Sequence, residues 1–466
     1  MDAPPEITEF TGNESARASP GGVPVTHEDL ERAEDRSRVV LARGQGGPFS
    51  RFRLLWLLIG PGILVMLGEN DGPSMLSYAA TGARFGVGFF LPFIILTFAM
   101  AIVVQEMTVR LGAATHRGHA ELIFARFGPF WGWFSMIDLA LGNFLTLIAE
   151  FIAIRAGLAF FGVPARIAVP GAVLVLVLAL LTHRYWTWER ITLAIAAFNL
   201  IFIPLALLTH PDWNAVGRAL LSWRPLKGGM SNDALLIILS NIGATVTPWM
   251  LFFQQSATVD KGLTRRDIRF GRIDTLLGAV LAAGAALAMV LLTAPLMGSH
   301  MSVENFQAAE FASSLLPVIG RFGAALFSLG MVEAGLVAAI TISASTAYAF
   351  GEVARKPHSL NLRMREGRAF YSVLFLCVAA AAGVVLIPGL PLIYVALMVN
   401  VVAVLAMPPA LLFLFMLAND REIMGDLVSP AWANLLTSAV VVLLIGAGLL
   451  FGISVMAPRA FAFLVR

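Results

Sequence analysis

Residues 60–74 of the chain read GPGILVMLGENDGPS, and residues 241–249 read NIGATVTPW. Each stretch interrupts a long apolar segment with glycine and proline, which break helical hydrogen bonding and leave backbone groups without partners. At membrane depth such groups are tolerated only where protein buries them or where they line a polar cavity. The two stretches therefore predict two broken membrane helices around a polar site. Two ordinary proline kinks are the alternative interpretation.

The overall composition is that of a membrane protein. The 466 residues are 58% hydrophobic and 13% charged, whereas soluble domains carry about 25% charged residues. The 32 basic and 29 acidic residues nearly balance, which does not favour a nucleic-acid partner. Because the chain has a single cysteine, Cys377, it cannot form an internal disulfide.

The first 53 residues differ from the rest of the chain. They are rich in Pro, Gly, Glu and Arg and lack apolar periodicity, so we expect a disordered cytoplasmic tail at 1–53. No cleavable signal peptide is expected, because the first long apolar run begins only near Leu54. A transmembrane domain at 54–466 follows the tail.

Eleven segments are long and apolar enough to cross a bilayer, which takes about 20 helical residues. They lie near residues 54–80, 88–112, 131–158, 166–182, 190–209, 234–255, 272–297, 316–349, 369–388, 391–417 and 431–456. The broken segments are the first and the sixth. This spacing predicts an all-α membrane protein with an inverted repeat of spans 1–5 and 6–10, and a site where the two repeats meet.

The basic residues predict the orientation. With the N-terminus inside, most of the Lys and Arg residues fall on the cytoplasmic side. We therefore expect a multi-pass protein of the plasma membrane with a cytoplasmic N-terminus and an extracytoplasmic C-terminus. The Arg-rich runs are interpreted as anchors for this orientation, with ligand sites as the alternative. The bilayer is the expected environment, and no obligate protein partner is evident.

The first break carries two carboxylates, Glu69 and Asp71, on either side of Asn70. A carboxylate in the middle of a membrane helix costs about 2.5–3.5 kcal/mol on insertion scales. Two such groups repel each other unless a cation or proton lies between them. A cation ligand is the simplest explanation. In the alternatives Asp71 pairs with Arg155 or caps a half-helix, and Glu69 points elsewhere.

The donors available at the breaks narrow the choice of cation. No Cys, Met or His occurs among residues 68–74 or 241–249. Carboxylate, amide, hydroxyl and carbonyl oxygens suit Mg²⁺, Mn²⁺ and Ca²⁺. Ser74 and Thr247 supply hydroxyls for a partly hydrated ion, and Asn400, in the middle of span 10, supplies a further amide oxygen.

Other polar residues in the spans have two interpretations each. Glu150 either pairs with Arg155 or belongs to a remnant of a proton route. Asp138, Asp274 and Glu333 either line the path or form hydrogen bonds between helices. All seven histidines are expected in the tail or loops, where we interpret His116 and His119 as solvated residues rather than as a metal site.

These motifs resemble those of the Nramp family of divalent metal transporters. That family carries Asp-Pro-Gly-Asn in span 1 and Ala-x-x-Met-Pro-His in span 6, where this chain has DGPS at 71–74 and ATVTPW at 244–249. Further similar stretches follow in the same order at 105–122, 149–151 and 400–421. The resemblance, which runs from about 54 to 455, implies the LeuT-type fold with eleven helices. It also implies that Asp71 and the Ala244 carbonyl are metal ligands.

The departures from the family pattern suggest a changed selectivity. Ser74 replaces the asparagine ligand, Thr247 replaces the methionine whose sulfur selects transition metals, and Asn400 stands in place of a glutamine. Trp249 and Leu147 replace a histidine and an aspartate that are associated with proton movement. This pattern is similar to that of the Nramp-related magnesium transporters, which implies an uncoupled carrier of Mg²⁺ and Mn²⁺.

The sequence therefore predicts an alternating-access transporter for Mg²⁺ and Mn²⁺ without proton coupling. The alternatives are a proton-coupled importer of Mn²⁺ and Fe²⁺ and, from another class, a sodium-coupled symporter of an organic solute. No phosphate-binding loop or nucleophile–base pair is evident, so we expect neither an enzyme nor a cofactor other than the transported ion. The predicted metal site includes Asp71, Glu69, Asn70, Ser74, Ala244, Thr247 and Asn400, with Glu150 and Trp249 along the pathway.

Overall fold

The structure is a computed structural model that describes residues 59–226, 229–297, 308–390 and 392–456. The disordered tail expected at 1–53 lies outside the described residues, as do both ends of the domain predicted at 54–466.

Within the described ranges the regular structure is helical. The helices are α1 (Pro61–Gly68), α2 (Gly72–Phe85), α3 (Phe90–Thr115), α4 (His119–Phe127), α5 (Pro129–Ala159), α6 (Ala165–Leu180), α7 (Tyr185–Ala196), α8 (Phe202–Leu207), α9 (Trp213–Ser222), α10 (Asn232–Gly243), α11 (Pro248–Asp260), α12 (Ile268–Thr293), α13 (Ala308–Ala354), α14 (Arg368–Val385), α15 (Leu392–Asn419), α16 (Arg421–Met424) and α17 (Ala431–Met456). Short 3-10 segments lie at Ala197–Ile201, Arg265–Asp267, Ala294–Leu296 and Gly425–Leu427.

The helices confirm a multi-pass membrane architecture. In the described part of the chain, nine helical stretches are long and apolar enough to cross a bilayer by length and composition, counting α7 with α8 and α10 with α11 as one stretch each. The other two predicted spans correspond to α6, which has 16 residues, and to the broken pair α1–α2. The all-α prediction is confirmed, while the number of eleven spans stays a prediction.

Both predicted helix breaks are present. The first helical pair stops at Gly68 and resumes at Gly72, and the second stops at Gly243 and resumes at Pro248. Proline at the start of α11 suits the first turn, where its missing N–H leaves no hydrogen bond unmade. The breaks therefore leave free backbone groups and polar side chains facing one another inside the protein.

Close packing against α12 positions the first half-helix, α1. A Cβ at Gly62 would lie 2.6 Å from the backbone nitrogen of Thr275, and one at Gly278 would lie 2.7 Å from Cα of Ile63. The Asp274 carboxylate accepts hydrogen bonds from the N–H groups of Gly60 and Gly62, at 3.0 and 2.6 Å. Asp274 therefore caps α1 from another helix, in agreement with its predicted role in hydrogen bonding between helices.

Three features of the fold were not predicted. A 3-10 segment, Ala197–Ile201, separates α7 from α8 within predicted span 5. The long helix α13 includes a non-helical residue, Gly320, with φ of 69°. Helix α9, between predicted spans 5 and 6, is ten residues long, and the Asp212 side chain caps its start by accepting from two backbone N–H groups.

Candidate metal-binding site

The two breaks meet at a direct contact between side chains. Glu69 directly follows α1 as its C-cap, Asp71 precedes α2, and Thr247 precedes α11. The Thr247 hydroxyl donates to Glu69 Oε1 at 2.5 Å, joining residues 178 positions apart. The structure thus brings the two predicted halves of the site together.

Asp71 contacts the first turn of α2 and a second carboxyl group. Its Oδ1 accepts from the backbone N–H of Ser74 at 2.8 Å and so caps α2. Its carboxyl group also lies next to that of Glu150. Arg155 donates instead to the carbonyl of Val385, at 3.2 Å. Within the described residues, neither Asp71 nor Glu150 therefore forms the ion pair with Arg155 that the sequence left open.

The side chain of Glu150, which belongs to α5, lies at the N-terminus of α2. Its Oε2 accepts from the backbone N–H of Gly72 at 3.0 Å. A Cβ at Gly72 would lie 2.3 Å from Cβ of Ala153 and 3.1 Å from Glu150 Oε2, so glycine permits this approach. A carboxylate of the protein thus holds the position at which a sodium-coupled symporter would bind the carboxylate of its solute.

The site is buried and rich in oxygens without hydrogen bonds. Glu69 is fully buried and Asp71 is 1% exposed. Four buried oxygens at the first break and beside it have no hydrogen-bond partner among the described residues. They are Glu69 Oε2, Asn70 Oδ1, Ser74 Oγ and Glu150 Oε1.

These oxygens suit a hard cation, which can satisfy acceptors that no protein donor reaches. Among the described residues, no three His, Cys, Asp or Glu side chains are grouped to hold a metal. A metal at this break would therefore complete its coordination with neutral oxygens or with water.

The second break supplies further polar groups. The Ala244 carbonyl accepts from the Tyr78 hydroxyl at 3.2 Å and keeps a second lone pair. Asn400 lies beside the end of α10, where a Cβ at Gly243 would be 1.9 Å from the Asn400 carbonyl oxygen. The Asn400 side-chain nitrogen is buried and has no hydrogen-bond partner within the described ranges.

Two residues near the breaks were missed by the sequence interpretation. Met250 Sδ accepts from the backbone N–H of Thr247 at 3.3 Å, so a thioether does lie at the second break. Tyr78 lies seven residues after Asp71, on the same face of α2, and this spacing was the signal that could have identified it. Neither residue belongs to the motifs that drew attention to the site.

The Trp249 side chain packs against the end of α1, beside the first break. Its side chain is 1% exposed, and its indole ring would lie 3.2 Å from a Cβ at Gly68. The ring nitrogen has no hydrogen-bond partner among the described residues. The indole thus packs directly against the residue before Glu69.

His119 does not lie in a solvated loop, so that prediction is wrong. It is the first residue of α4 and is fully buried, and its Nδ1 lies 3.1 Å from Gln255 Oε1. Burial lowers the pKa of His119 to about 4. The imidazole therefore stays neutral at physiological pH and acts as a structural group between α4 and α11.

The chain is similar over most of its length to known proteins. The sequence model of the Nramp family, described as "Natural resistance-associated macrophage protein-like", matches residues 62–454. The "Divalent metal cation transporter MntH" of Brucella suis is 27% identical over 413 residues, covering 85% of this chain and 88% of that protein. The "Divalent metal cation transporter MntH 1" of Pseudomonas aeruginosa is 29% identical over 405 residues, covering 83% and 89%.

Solved structures share the architecture. The manganese transporter of Eremococcus coleocola, in complex with an aromatic bis-isothiourea substituted compound, matches with a TM-score of 0.73 at 23% identity and covers 88% of both chains. MhsT in complex with L-phenylalanine matches with a TM-score of 0.53 at 16% identity, covering 84% of this chain and 98% of that one. These similarities show a LeuT-type fold, as the resemblance to the Nramp family implied.

Proposed function

The chain belongs to the Nramp family, and from that premise we propose that it transports Mg²⁺ and Mn²⁺ by alternating access without proton coupling. The relatives described above are named as divalent metal cation transporters. The finer proposal concerns which ion is carried and what drives it, and it rests on this chain's own residues.

One observation carries the choice of ion: the Thr247 hydroxyl contacts Glu69 where the two breaks meet. With Asp71 and Ser74, this contact makes a group of oxygens around the first break. Oxygen ligands favour hard cations, and Mg²⁺, which sheds water reluctantly, suits a site with few protein ligands. The ligands proposed are Asp71 and Glu69, with the oxygens of Asn70, Ser74, Ala244, Thr247 and Asn400 as neutral contacts.

The absence of proton coupling is proposed from the residues beside the site. Trp249 and Leu147, both buried, cannot exchange a proton. Glu150 alone is titratable at the positions that the family associates with proton movement. Transport would then follow the electrochemical gradient, and an inside-negative potential favours a divalent cation by about 4.6 kcal/mol per 100 mV, twice the single-charge figure.

A second candidate, a proton-coupled Mn²⁺ importer, is favoured by two specific observations. The Glu150 carboxyl group lies next to that of Asp71, so a metal bound to Asp71 would make it easier for Glu150 to release a proton. The Met250 thioether at the second break also suits a softer ion than Mg²⁺.

Uptake into liposomes that contain the purified protein tests the site. We expect Asp71→Ala to abolish entry of both Mg²⁺ and Mn²⁺. Asp138→Asn is the matched control, since it removes another carboxylate of the membrane-spanning part. Asp138 is half-buried on α5 in a groove lined by Phe130 and Trp133. Undiminished uptake by Asp71→Ala would contradict the proposed site.

A further inference from the structure

Asn199 lies at an irregular point of the fold, close to the first break. It is fully buried in the 3-10 segment Ala197–Ile201, between α7 and α8. Segments of this kind within a longer helix often mark functional positions. Helix α13 packs closely against this region, since a Cβ added at its Gly330 would lie only 2.5 Å from the Phe202 ring. Glu333, three residues later on the same face, therefore reaches Asn199.

Hydrogen bonds link these residues to Asn70. The Asn199 amide nitrogen donates to the Asn70 carbonyl at 3.3 Å and to Glu333 Oε2 at 3.4 Å. The Asn70 amide nitrogen donates to Asn199 Oδ1 at 3.0 Å and to the Ala282 carbonyl at 2.8 Å. Each side-chain nitrogen has two hydrogens, and all four are used.

The acceptors decide which way each amide group faces. Backbone carbonyls can only accept hydrogen bonds, and Glu333 Oε2 accepts here from the side-chain nitrogen of Asn199. Glu333 and the Asn70 carbonyl therefore attract the nitrogen of Asn199 and turn its Oδ1 towards Asn70. Asn199 Oδ1 and the Ala282 carbonyl in turn hold the nitrogen of Asn70. The Asn70 Oδ1 is the atom left over, since it is buried and has no hydrogen-bond partner in the part of the chain that the structure describes.

We propose that Asn199, oriented by Glu333, is a positioning residue for the divalent cation: it turns Asn70 so that the amide presents its oxygen rather than its NH₂ group. The same hydrogen bonds hold the backbone between Glu69 and Asp71, the two charged ligands of the proposed site. This inference rests on the proposed function, because it assumes that a divalent cation binds at the first break.

A double-mutant cycle tests the link between Asn199 and Asn70. We expect Asn199→Leu to raise the KM for Mg²⁺ about tenfold, as losing about 1.4 kcal/mol of binding would, with the maximal rate within about twofold of the parent. Asn70→Ala should raise the KM similarly, and the double variant no further, because both changes remove one interaction. Effects that multiply, or a loss confined to the maximal rate, would overturn the proposal.

Asn143→Leu is the matched control. Asn143 is another buried amide within the membrane-spanning part, and it joins α5 to α13 by donating to Thr346 Oγ1 at 2.9 Å. Its described hydrogen bonds go to α13 and not to Asn70, so its replacement should leave the KM unchanged. A KM raised as much as by Asn199→Leu would mean that loss of any buried amide has this effect, and would contradict a positioning role.

Two replacements of Glu333 test separately whether Glu333 orients Asn199, even if Asn199→Leu fails to fold. Glu333→Ala removes the acceptor and should raise the KM for Mg²⁺. Glu333→Gln keeps an oxygen that can accept from Asn199, so it should restore most of the affinity. If Glu333→Gln is as impaired as Glu333→Ala, Glu333 acts through its charge, and the proposal that it orients Asn199 by accepting a hydrogen bond is wrong.

The readout separates this proposal from the proposed function. Each KM is measured for Mn²⁺ as well as Mg²⁺, alongside equilibrium binding of both ions to the detergent-solubilised protein. A parent protein that carries Mn²⁺ but not Mg²⁺ would contradict the proposed ion, while the Mn²⁺ cycle would still test Asn199. A parent that binds neither ion would overturn both.

Discussion

At the scale of single residues, Thr247 has the largest part in the proposed selectivity. Its side chain has the size of valine, yet its hydroxyl is engaged by Glu69 at the point where the two breaks meet. The family pattern places a methionine at this position. A short hydroxyl side chain leaves space beside Glu69 and Asp71, which a partly hydrated Mg²⁺ needs more than a dehydrated transition metal does.

We predict that Thr247→Val lowers the affinity for Mg²⁺ by about tenfold. The change keeps the shape but removes the hydrogen bond to a charged group, which is worth about 1.5–3 kcal/mol. Thr247→Met should instead shift the preference towards Mn²⁺ and Cd²⁺, because thioethers favour softer metals. Competition between these ions in uptake measures the shift. Thr192→Val, which removes a hydroxyl that donates to the Trp188 carbonyl of its own helix, is the control.

His119 predicts how stability depends on pH. Its pKa in the folded protein is about 4, below the ordinary value of 6.5, so the unfolded chain binds the proton more readily. The contribution of this group is complete above about pH 6.5 and decreases as the pH falls towards 4. The unfolding temperature in detergent should therefore drop less between pH 7 and 5 for His119→Gln than for the parent. The exposed His210→Gln variant should follow the parent, and an equal drop in all three proteins would contradict the prediction.

At the scale of secondary structure, buried charges hold the N-terminal end of α1. Lys261 donates to Glu189 Oε2 and to the Ile59 carbonyl, both at 2.7 Å, and both side chains of the pair are 0% exposed. A Cβ at Gly60 would lie 2.3 Å from the Glu189 carboxyl carbon. The half-helix α1, which Glu69 directly follows, is therefore anchored by charges at its N-terminal end.

Removing one partner of this pair should be much worse than removing both. Lys261→Met leaves Glu189 buried without its cation, a change that typically costs about 3–5 kcal/mol, whereas apolar replacement of a whole buried pair is often close to neutral. We therefore expect the unfolding temperature in detergent to fall sharply for Lys261→Met and to recover in the double variant Lys261→Met/Glu189→Leu. Equal losses in the single and double variants would show that Lys261 does not stabilise the protein through its ion pair with Glu189.

The helix breaks also show what the sequence could and could not predict. The first and second breaks were predicted because glycine and proline interrupt apolar segments there. The third, Ala197–Ile201, contains neither residue, and only the polar side chain of Asn199 distinguishes it. The orientation of Asn70 could not be predicted either, because it depends on Asn199, which is 129 residues away in the sequence.

At the scale of the whole molecule, the structure encloses the site. Glu69 and Asp71 are buried, and an ion pair between Arg84 and Asp233 joins α2 to α10 at one side of the protein. The basic residues predict this side to be extracytoplasmic. The side chains of the pair are 32% and 52% exposed, so the pair adds little stability, about 0–1 kcal/mol. Energies of this size still shift the balance between closed and open states.

We predict that Arg84→Ala favours opening towards this side. Ser77→Cys, buried in α2, reports the opening by its rate of maleimide labelling once Cys377 is replaced by Ala. Labelling should be several-fold faster with Arg84→Ala and should slow again when the charges are exchanged in Arg84→Asp/Asp233→Arg. Arg218→Ala, which removes an ion pair with Asp212 in the α9 region, is the control. Equal labelling rates in all variants would show that the pair does not hold this side closed.

The most direct test of the proposed transport mechanism measures Mg²⁺ entry and proton movement together, in liposomes that contain the purified protein. A Mg²⁺-sensitive dye reports entry, a pH dye in a parallel sample reports protons, and the membrane potential is set with K⁺ and valinomycin. We predict Mg²⁺ entry that increases with an inside-negative potential, is lost in Asp71→Ala, and leaves the internal pH unchanged. Mn²⁺ entry accompanied by acidification, with Mg²⁺ excluded, would contradict this account and assign the chain to proton-coupled transition-metal transport.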